Sequence, residues 1–101
     1  MILYNLTVRI DHDIEQEWLE YVRKKYVLSV MATELFFDFK IYRLLNEPDN
    51  EGITYALQFF AHSMNDVEKY LNNYAHAISE YHRLRFRNKH VAFNTLLESL
   101  I

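Results

Sequence analysis

The sequence predicts an α+β domain: a four-stranded antiparallel sheet with two helices on one face. Three observations predict it. Four stretches alternate with the period of a half-buried strand, and two stretches between them carry apolar residues at helical spacing. The only proline and the only glycine of the 101 residues stand together at 46–52, almost at the midpoint. Proline fixes φ, glycine permits positive φ, and Asn46, Asp49 and Asn50 favour turns through their own side chains. That stretch reads as an exposed hairpin loop joining two halves, each ordered strand, helix, strand.

The first strand is 1–10. Ile2, Tyr4, Leu6, Val8 and Ile10 share one face, and Leu3, Asn5, Thr7 and Arg9 share the other. Asp11-His12-Asp13 ends it. Asp13 suits an N-cap, with Gln16 as its capping-box partner. In the helix that follows, Ile14, Trp18, Tyr21 and Val22 form one stripe that ends near Lys25. Acidic residues load its first turns and basic residues its last, as the helix dipole favours, and Glu20 and Lys24 are spaced for an ion pair. The apolar run 26–33 reads as a further short helical segment under the sheet edge.

The second strand is 35–45, with Leu35, Phe37, Phe39 and Ile41 alternating against Phe36, Asp38, Lys40 and Tyr42. The third is 53–61, with Ile53, Tyr55, Leu57 and Phe59 against Thr54, Ala56, Gln58 and Phe60. Ser63 opens the second helix, with Asp66 in the capping-box position. The predicted stripe is Val67, Leu71, Tyr74 and Ile78, flanked by Tyr70, Tyr81 and His82, and the helix runs to about Phe86. In the last strand, 91–97, Val91, Phe93, Thr95 and Leu97 alternate with Ala92, Asn94 and Leu96.

Two right-handed crossovers put both helices on one side of the sheet. The order βαββαβ is the split βαβ, or ferredoxin-like, arrangement, and residues 1–101 form one such domain. The opposite sheet face stays open. The alternation assigns it Asn5, Thr7, Arg9, Asp38, Lys40, Tyr42, Gln58, Phe60, Asn94 and Leu96. A face that is half polar and half apolar points to a second copy packing on it around a partly polar cavity. With eight Tyr and seven Phe, the aromatic content points the same way. The expected assembly is a homodimer closing an α/β barrel.

Net charge is −3, which lacks the basic surplus of a nucleic-acid binder. Arg83, Arg85, Arg87 and Lys89 read as a solvated helix end. There is no cysteine, so thiolate chemistry and Cys-type zinc sites are excluded. No apolar run reaches the ~20 residues that span a bilayer, and the N-terminal residues lack a signal-peptide pattern. The expectation is a cytoplasmic protein with no nucleic-acid or membrane partner.

No cofactor motif is present. A single glycine excludes a phosphate loop, and no serine sits in a nucleophile elbow. The third strand lacks the basic-Gly-aromatic pattern of an RNA-recognition fold. Asp11-His12-Asp13 offers metal-type ligands, but three adjacent residues at a turn rarely converge on one ion. Asp38 and Lys40 could pair on the open face. Of the five histidines, His76 points to solvent and His82 sits at the margin of the buried stripe, which makes it the best single candidate for a base or ligand.

Several stretches resemble a small uncharacterised bacterial family, a domain of unknown function. They are Tyr4-Asn5-Leu6-Thr7-Val8, Trp18-Leu19, Val30-Met31-Ala32-Thr33, Tyr42-Arg43-Leu44-Leu45, Thr54-Tyr55-Ala56-Leu57-Gln58-Phe59-Phe60 and Val91-Ala92-Phe93-Asn94-Thr95-Leu96-Leu97. The resemblance implies a ferredoxin-like domain and, more broadly, the dimeric α/β-barrel superfamily. That superfamily includes monooxygenases of the antibiotic-biosynthesis type and haem-degrading enzymes. Their site has an Asn on the first strand, a Trp at the end of the third and a His on the second helix. Asn5 matches the first, Phe60 stands where the Trp belongs, and His76 or His82 supplies the third.

Two function classes follow. In the first, the homodimer binds a small ligand or a protein partner on the open face, lined by Asn5, Arg9, Lys40, Tyr42, Gln58 and Phe60. In the second, the protein is a cofactor-light monooxygenase or haem-degrading enzyme that uses Asn5 and His82, with Phe60 as wall.

Overall fold

The computed structural model describes residues 1–101, apart from the side chain of Asp49. Strands β1 (Ile2–Ile10), β2 (Asp38–Arg43), β3 (Ile53–Ala61) and β4 (His90–Glu98) form one antiparallel sheet in the order β2-β3-β1-β4. This is the ferredoxin-like arrangement the alternation predicts. The strands richest in alternating β-branched and aromatic residues, β1 and β3, take the centre. Tyr4, Leu6, Val8 and Ile10 of β1 and Tyr55, Leu57 and Phe59 of β3 are buried beneath the helices.

The first helical arm is α1 (Glu15–Tyr21), a π-helical turn (Val22–Tyr26) and α2 (Val27–Met31). The wide turn has a packing reason. On a regular helix Tyr26 and Val30 would lie about 80° and about 120° round from Trp18. Five-residue bonding, as from Val27 N–H to the carbonyl of Val22, winds the chain more slowly there. Trp18, Val22, Tyr26 and Val30 then all reach the core.

Asp13 does not cap this arm. A 3-10 turn (His12–Ile14) precedes α1, and Asp13 accepts instead from Lys89 Nζ at 3.0 Å. The predicted Glu20–Lys24 pair forms at 3.3 Å. Ser63 caps α3 (Met64–Asn73) as predicted, its Oγ accepting from the Asp66 N–H at 3.3 Å.

The second arm is broken at Tyr74 (φ −128°, ψ −34°), where α4 (Ala75–Arg85) begins. The break advances the buried stripe by one residue. Val67 and Tyr70 are followed by Ala75 and His82, whereas Leu71 and Tyr74 of the predicted stripe are exposed. His82 therefore moves from the margin to the centre of the buried side.

β2 is shorter than predicted. After α2 the chain turns through Glu34 in a left-handed conformation (φ 63°) and reaches the sheet only at Asp38. On the way Phe36 turns into the core, with its ring centroid 5.1 Å from Tyr70 and 5.7 Å from Phe59, while Phe37 stays half exposed against His62. Phe36→Ala is expected to cost about 3–5 kcal/mol by urea unfolding, and Phe37→Ala under about 1 kcal/mol. Equal losses would mean that the two side chains have been assigned to the wrong sides.

Candidate functional site

The two sides of the sheet offer different chemistry. On the open side Asn5 stands opposite Gln58, Leu3 opposite Phe60 and Arg9 opposite Thr54. β2 adds Asp38 opposite Phe60, Lys40 opposite Gln58 and Tyr42 opposite Ala56. The six sequence-predicted ligand residues, Asn5, Arg9, Lys40, Tyr42, Gln58 and Phe60, thus share this face.

Several of them are engaged within the chain. Asn5 Nδ2 donates to Thr7 Oγ1 at 3.0 Å. Lys40 Nζ lies 5.9 Å from the Phe60 ring centroid. Glu47 reaches back from the central loop and accepts from both the N–H and the hydroxyl of Thr54, at 2.6 and 2.7 Å. These bonds, the hydroxyl foremost, hold the Glu47 carboxyl below its usual range, and Arg9 at 3.9 Å adds to them. Asp38 accepts from the Phe39 N–H at 2.8 Å, and among the described residues it forms no ion pair with Lys40.

The fourth strand corrects the predicted face. The register puts Asn94 opposite Leu6 and Leu96 opposite Tyr4, which places both on the helix side. Val91, Phe93, Thr95 and Leu97 take the open side instead, opposite Arg9, Thr7, Asn5 and Leu3. Their exposures of 69% for Val91, 60% for Phe93 and 47% for Leu97 make an apolar band along this edge. β4 is an edge strand, and its apolar residues therefore do not have to point at the helices.

On the helix side the focus is His82. Trp18 Nε1 donates to its Nε2 at 2.9 Å, across both helical arms. An indole N–H can only donate, so Nε2 is bare and the neutral ring carries its proton on Nδ1. Burial, followed by the nearby His90, lowers the His82 pKa to about 4. The His90 ring lies edge-on with its centroid 4.7 Å away, and its Nδ1 is 2.8 Å from the Phe86 carbonyl. Tyr26 packs against His82 with ring centroids 5.8 Å apart, and burial raises its pKa well above the usual phenol value. Trp18, Tyr26 and His90 were not singled out around His82 from the sequence. Trp18 was placed on a buried stripe, but Tyr26 reaches the site only through the wide turn.

The sheet lies between Asn5 and His82. Asn5 and Phe60 belong to the open side and His82 to the other, so one chain does not bring the predicted catalytic pair together. Three residues of the basic cluster form ion pairs, Arg83 with Glu80, Arg85 with Glu17 and Lys89 with Asp13. Among the described residues no group of three or more His, Asp or Glu side chains is placed to hold a metal, and no helix is long and apolar enough to cross a membrane.

A family model described as "Domain of unknown function (DUF4286)" matches residues 1–100. No curated protein matches at a significant level. Solved structures share the fold over almost the whole chain. A dimeric ferredoxin-like protein from an uncultured marine organism has a TM-score of 0.78 at 10% identity, covering 99% of this chain and 95% of its own. A putative antibiotic biosynthesis monooxygenase from Deinococcus radiodurans has a TM-score of 0.67 at 13% identity, covering 98% and 92%. The heme-degrader MhuD from Mycobacterium tuberculosis, with two hemes bound in its active site, has a TM-score of 0.68 at 12% identity, covering 100% and 97%. At these identities the likeness is one of fold.

Proposed function

The chain belongs to the DUF4286 family, a domain of unknown function, and from that footing we propose that it acts as a cytoplasmic homodimer whose open sheet faces pack together around a small-ligand chamber. One observation carries the reading. The open face bears an apolar band, Val91, Phe93 and Leu97, beside the polar residues Asn5, Thr7 and Gln58. An exposed apolar band marks a surface that a partner would cover, and the polar residues beside it would then line what the two faces enclose. The description of structural neighbours as dimeric ferredoxin-like proteins supports a second copy as the occupant. Asn5, Arg9, Lys40, Tyr42, Gln58 and Phe60 would line the chamber, with Arg9 held by Glu47 at one end. A small ligand suits this enclosed floor better than a protein partner.

The haem-degrading alternative meets two obstacles. Asn5 and His82 lie on opposite sides of the sheet, and His82 Nε2 is already bonded to Trp18.

Sedimentation velocity tests the dimer. The wild type is expected to sediment as a dimer. Phe93→Glu buries an unpaired charge in the interface, so it is expected to weaken association at least ~100-fold, and Phe60→Glu should act in the same direction. A wild-type monomer, or a Phe93→Glu dimer of unchanged affinity, would refute this geometry. Native mass spectrometry of the dimer then reads the chamber directly, as extra mass on the wild type.

A further inference from the structure

On the open side a pocket of about 200 Å³ lies across β3, β1 and β4, lined by Thr7, Arg9, Thr54, Val91 and Phe93. Its polar groups are unequally committed. Thr54 gives both its N–H and its hydroxyl to Glu47, which turns both Glu47 oxygens toward Thr54. The Glu47 side chain is only 11% exposed, whereas that of Arg9 is 50% exposed. Arg9 engages the loop through Nε alone. That nitrogen donates to Thr54 Oγ1 at 3.5 Å and stands 3.9 Å from Glu47, too far for a hydrogen bond. The terminal N–H groups of the guanidinium make no hydrogen bond among the described residues. Thr7 accepts from Asn5 Nδ2, and its own hydroxyl hydrogen is likewise unspent.

We infer that this pocket holds the carboxylate of a small hydrophobic acid, gripped by the terminal nitrogens of Arg9 with the Thr7 hydroxyl beside them, while the apolar body lies against Val91 and Phe93. Three features set that class. What the lining has left to offer is N–H and O–H hydrogen, so the ligand's polar end must accept. A guanidinium presents two parallel N–H bonds, which a carboxylate meets with two oxygens, whereas an amide would turn its own NH₂ against one of them. Glu47 offsets part of the Arg9 charge, so this fork geometry, more than net charge, makes the selection. The opposite wall is apolar and accessible, with Val91 69% and Phe93 60% exposed. The size is modest. A cavity of ~150 Å³ accepts benzene, so this one takes a ring with a short acid arm, about ten non-hydrogen atoms. The inference names the ligand class of the proposed chamber and rests on that reading for its enclosure, because the pocket is open on one chain and the second copy would roof it.

Phenylacetate is the probe, and backbone amide NMR of the wild type is the readout. Phenylacetate is expected to shift the Thr7, Arg9, Val91 and Phe93 amides saturably, with a dissociation constant of about 1 mM or tighter. Phenylacetamide, of the same shape without the second oxygen, should bind at least about tenfold more weakly, and so should acetate, which lacks the apolar body. Arg9→Gln removes the fork from a half-exposed strand position and should weaken phenylacetate at least about tenfold. Arg9→Lys keeps the charge, loses the fork and should weaken it at least about threefold. No saturable shift in the wild type, equal affinity for phenylacetamide, or wild-type affinity in both Arg9 variants would each overturn the assignment. Sedimentation velocity of the same samples separates this inference from the dimer. A dimer that does not bind phenylacetate refutes the Arg9 site and keeps the face-to-face assembly. A monomer that binds it through Arg9 refutes the assembly and keeps the site.

Discussion

Lowering the pH from 7.5 to 4.5 is expected to remove about 2.5 kcal/mol of stability through His82 alone, and His82→Gln should abolish that part of the loss. The folded-state pKa of His82 is lowered from 6.5 to about 4, first by burial and then by His90. Above 6.5 the ring is neutral in both states and its burial adds no pH dependence. As the pH falls below 6.5 the unfolded chain gains a proton that the folded chain refuses, and stability declines until the folded ring titrates near 4. Each pH unit crossed between those two values removes up to about 1.4 kcal/mol. Glutamine is the informative replacement, because its carbonyl can still accept from Trp18 N–H and it cannot ionise. Urea unfolding of both proteins at the two pH values, followed by Trp18 emission, measures the difference. Parallel losses would mean that His82 is not held neutral in the folded state.

Gly52→Ala is expected to destabilise the protein by about 3 kcal/mol, lowering its melting temperature by about 15 °C. Gly52 has φ +100° and ψ −165°, a region essentially closed to side-chain-bearing residues. Space is also lacking. A Cβ there would lie 2.6 Å from the Ile10 carbonyl oxygen and 3.3 Å from Arg9 Cγ. The carbonyl is backbone at the end of β1, where Ile10 pairs with Ile53, so relief requires opening that end of the ladder. The same loop carries Glu47 onto Thr54, and a displaced loop would lose those two bonds as well. A thermal melt that drops by less than about 4 °C would show that the loop can adopt another path.

The central strands were legible because both of their faces are constrained. β3 runs from Ile53 to Ala61 as its alternation predicts, and the alternation of β1 matches its burial. The edges were not, because an edge strand need not give its apolar side to the core. Val91, Phe93 and Leu97 look like core residues in sequence and face the open side in the fold. Phe36 and Phe37 are adjacent and chemically equal, and the turn through the left-handed Glu34 just before them breaks the alternation that would assign their sides. The break at Tyr74 and the wide turn at Val22–Tyr26 contain neither glycine nor proline, so no local residue announces them. Both change which side chains meet. His82 could be singled out from its place beside the apolar stripe, while its neighbours Tyr26 and His90 were out of reach of a periodicity argument.

The wide turn also bears on ancestry. A π-helical turn adds one residue to a helix whose two ends stay where packing holds them. Relatives with a regular α-helix over the stretch equivalent to Val22–Tyr26 should be one residue shorter there, inside the helix and not in a loop. An alignment that forbids gaps within helices would then misplace every position from Tyr26 to Met31, and Tyr26 would be paired with a residue on another side of the helix. Loss of that single codon would leave Tyr26 on the same side of the helix, whereas a regular helix of unchanged length would turn the phenol away from the core without altering any strand.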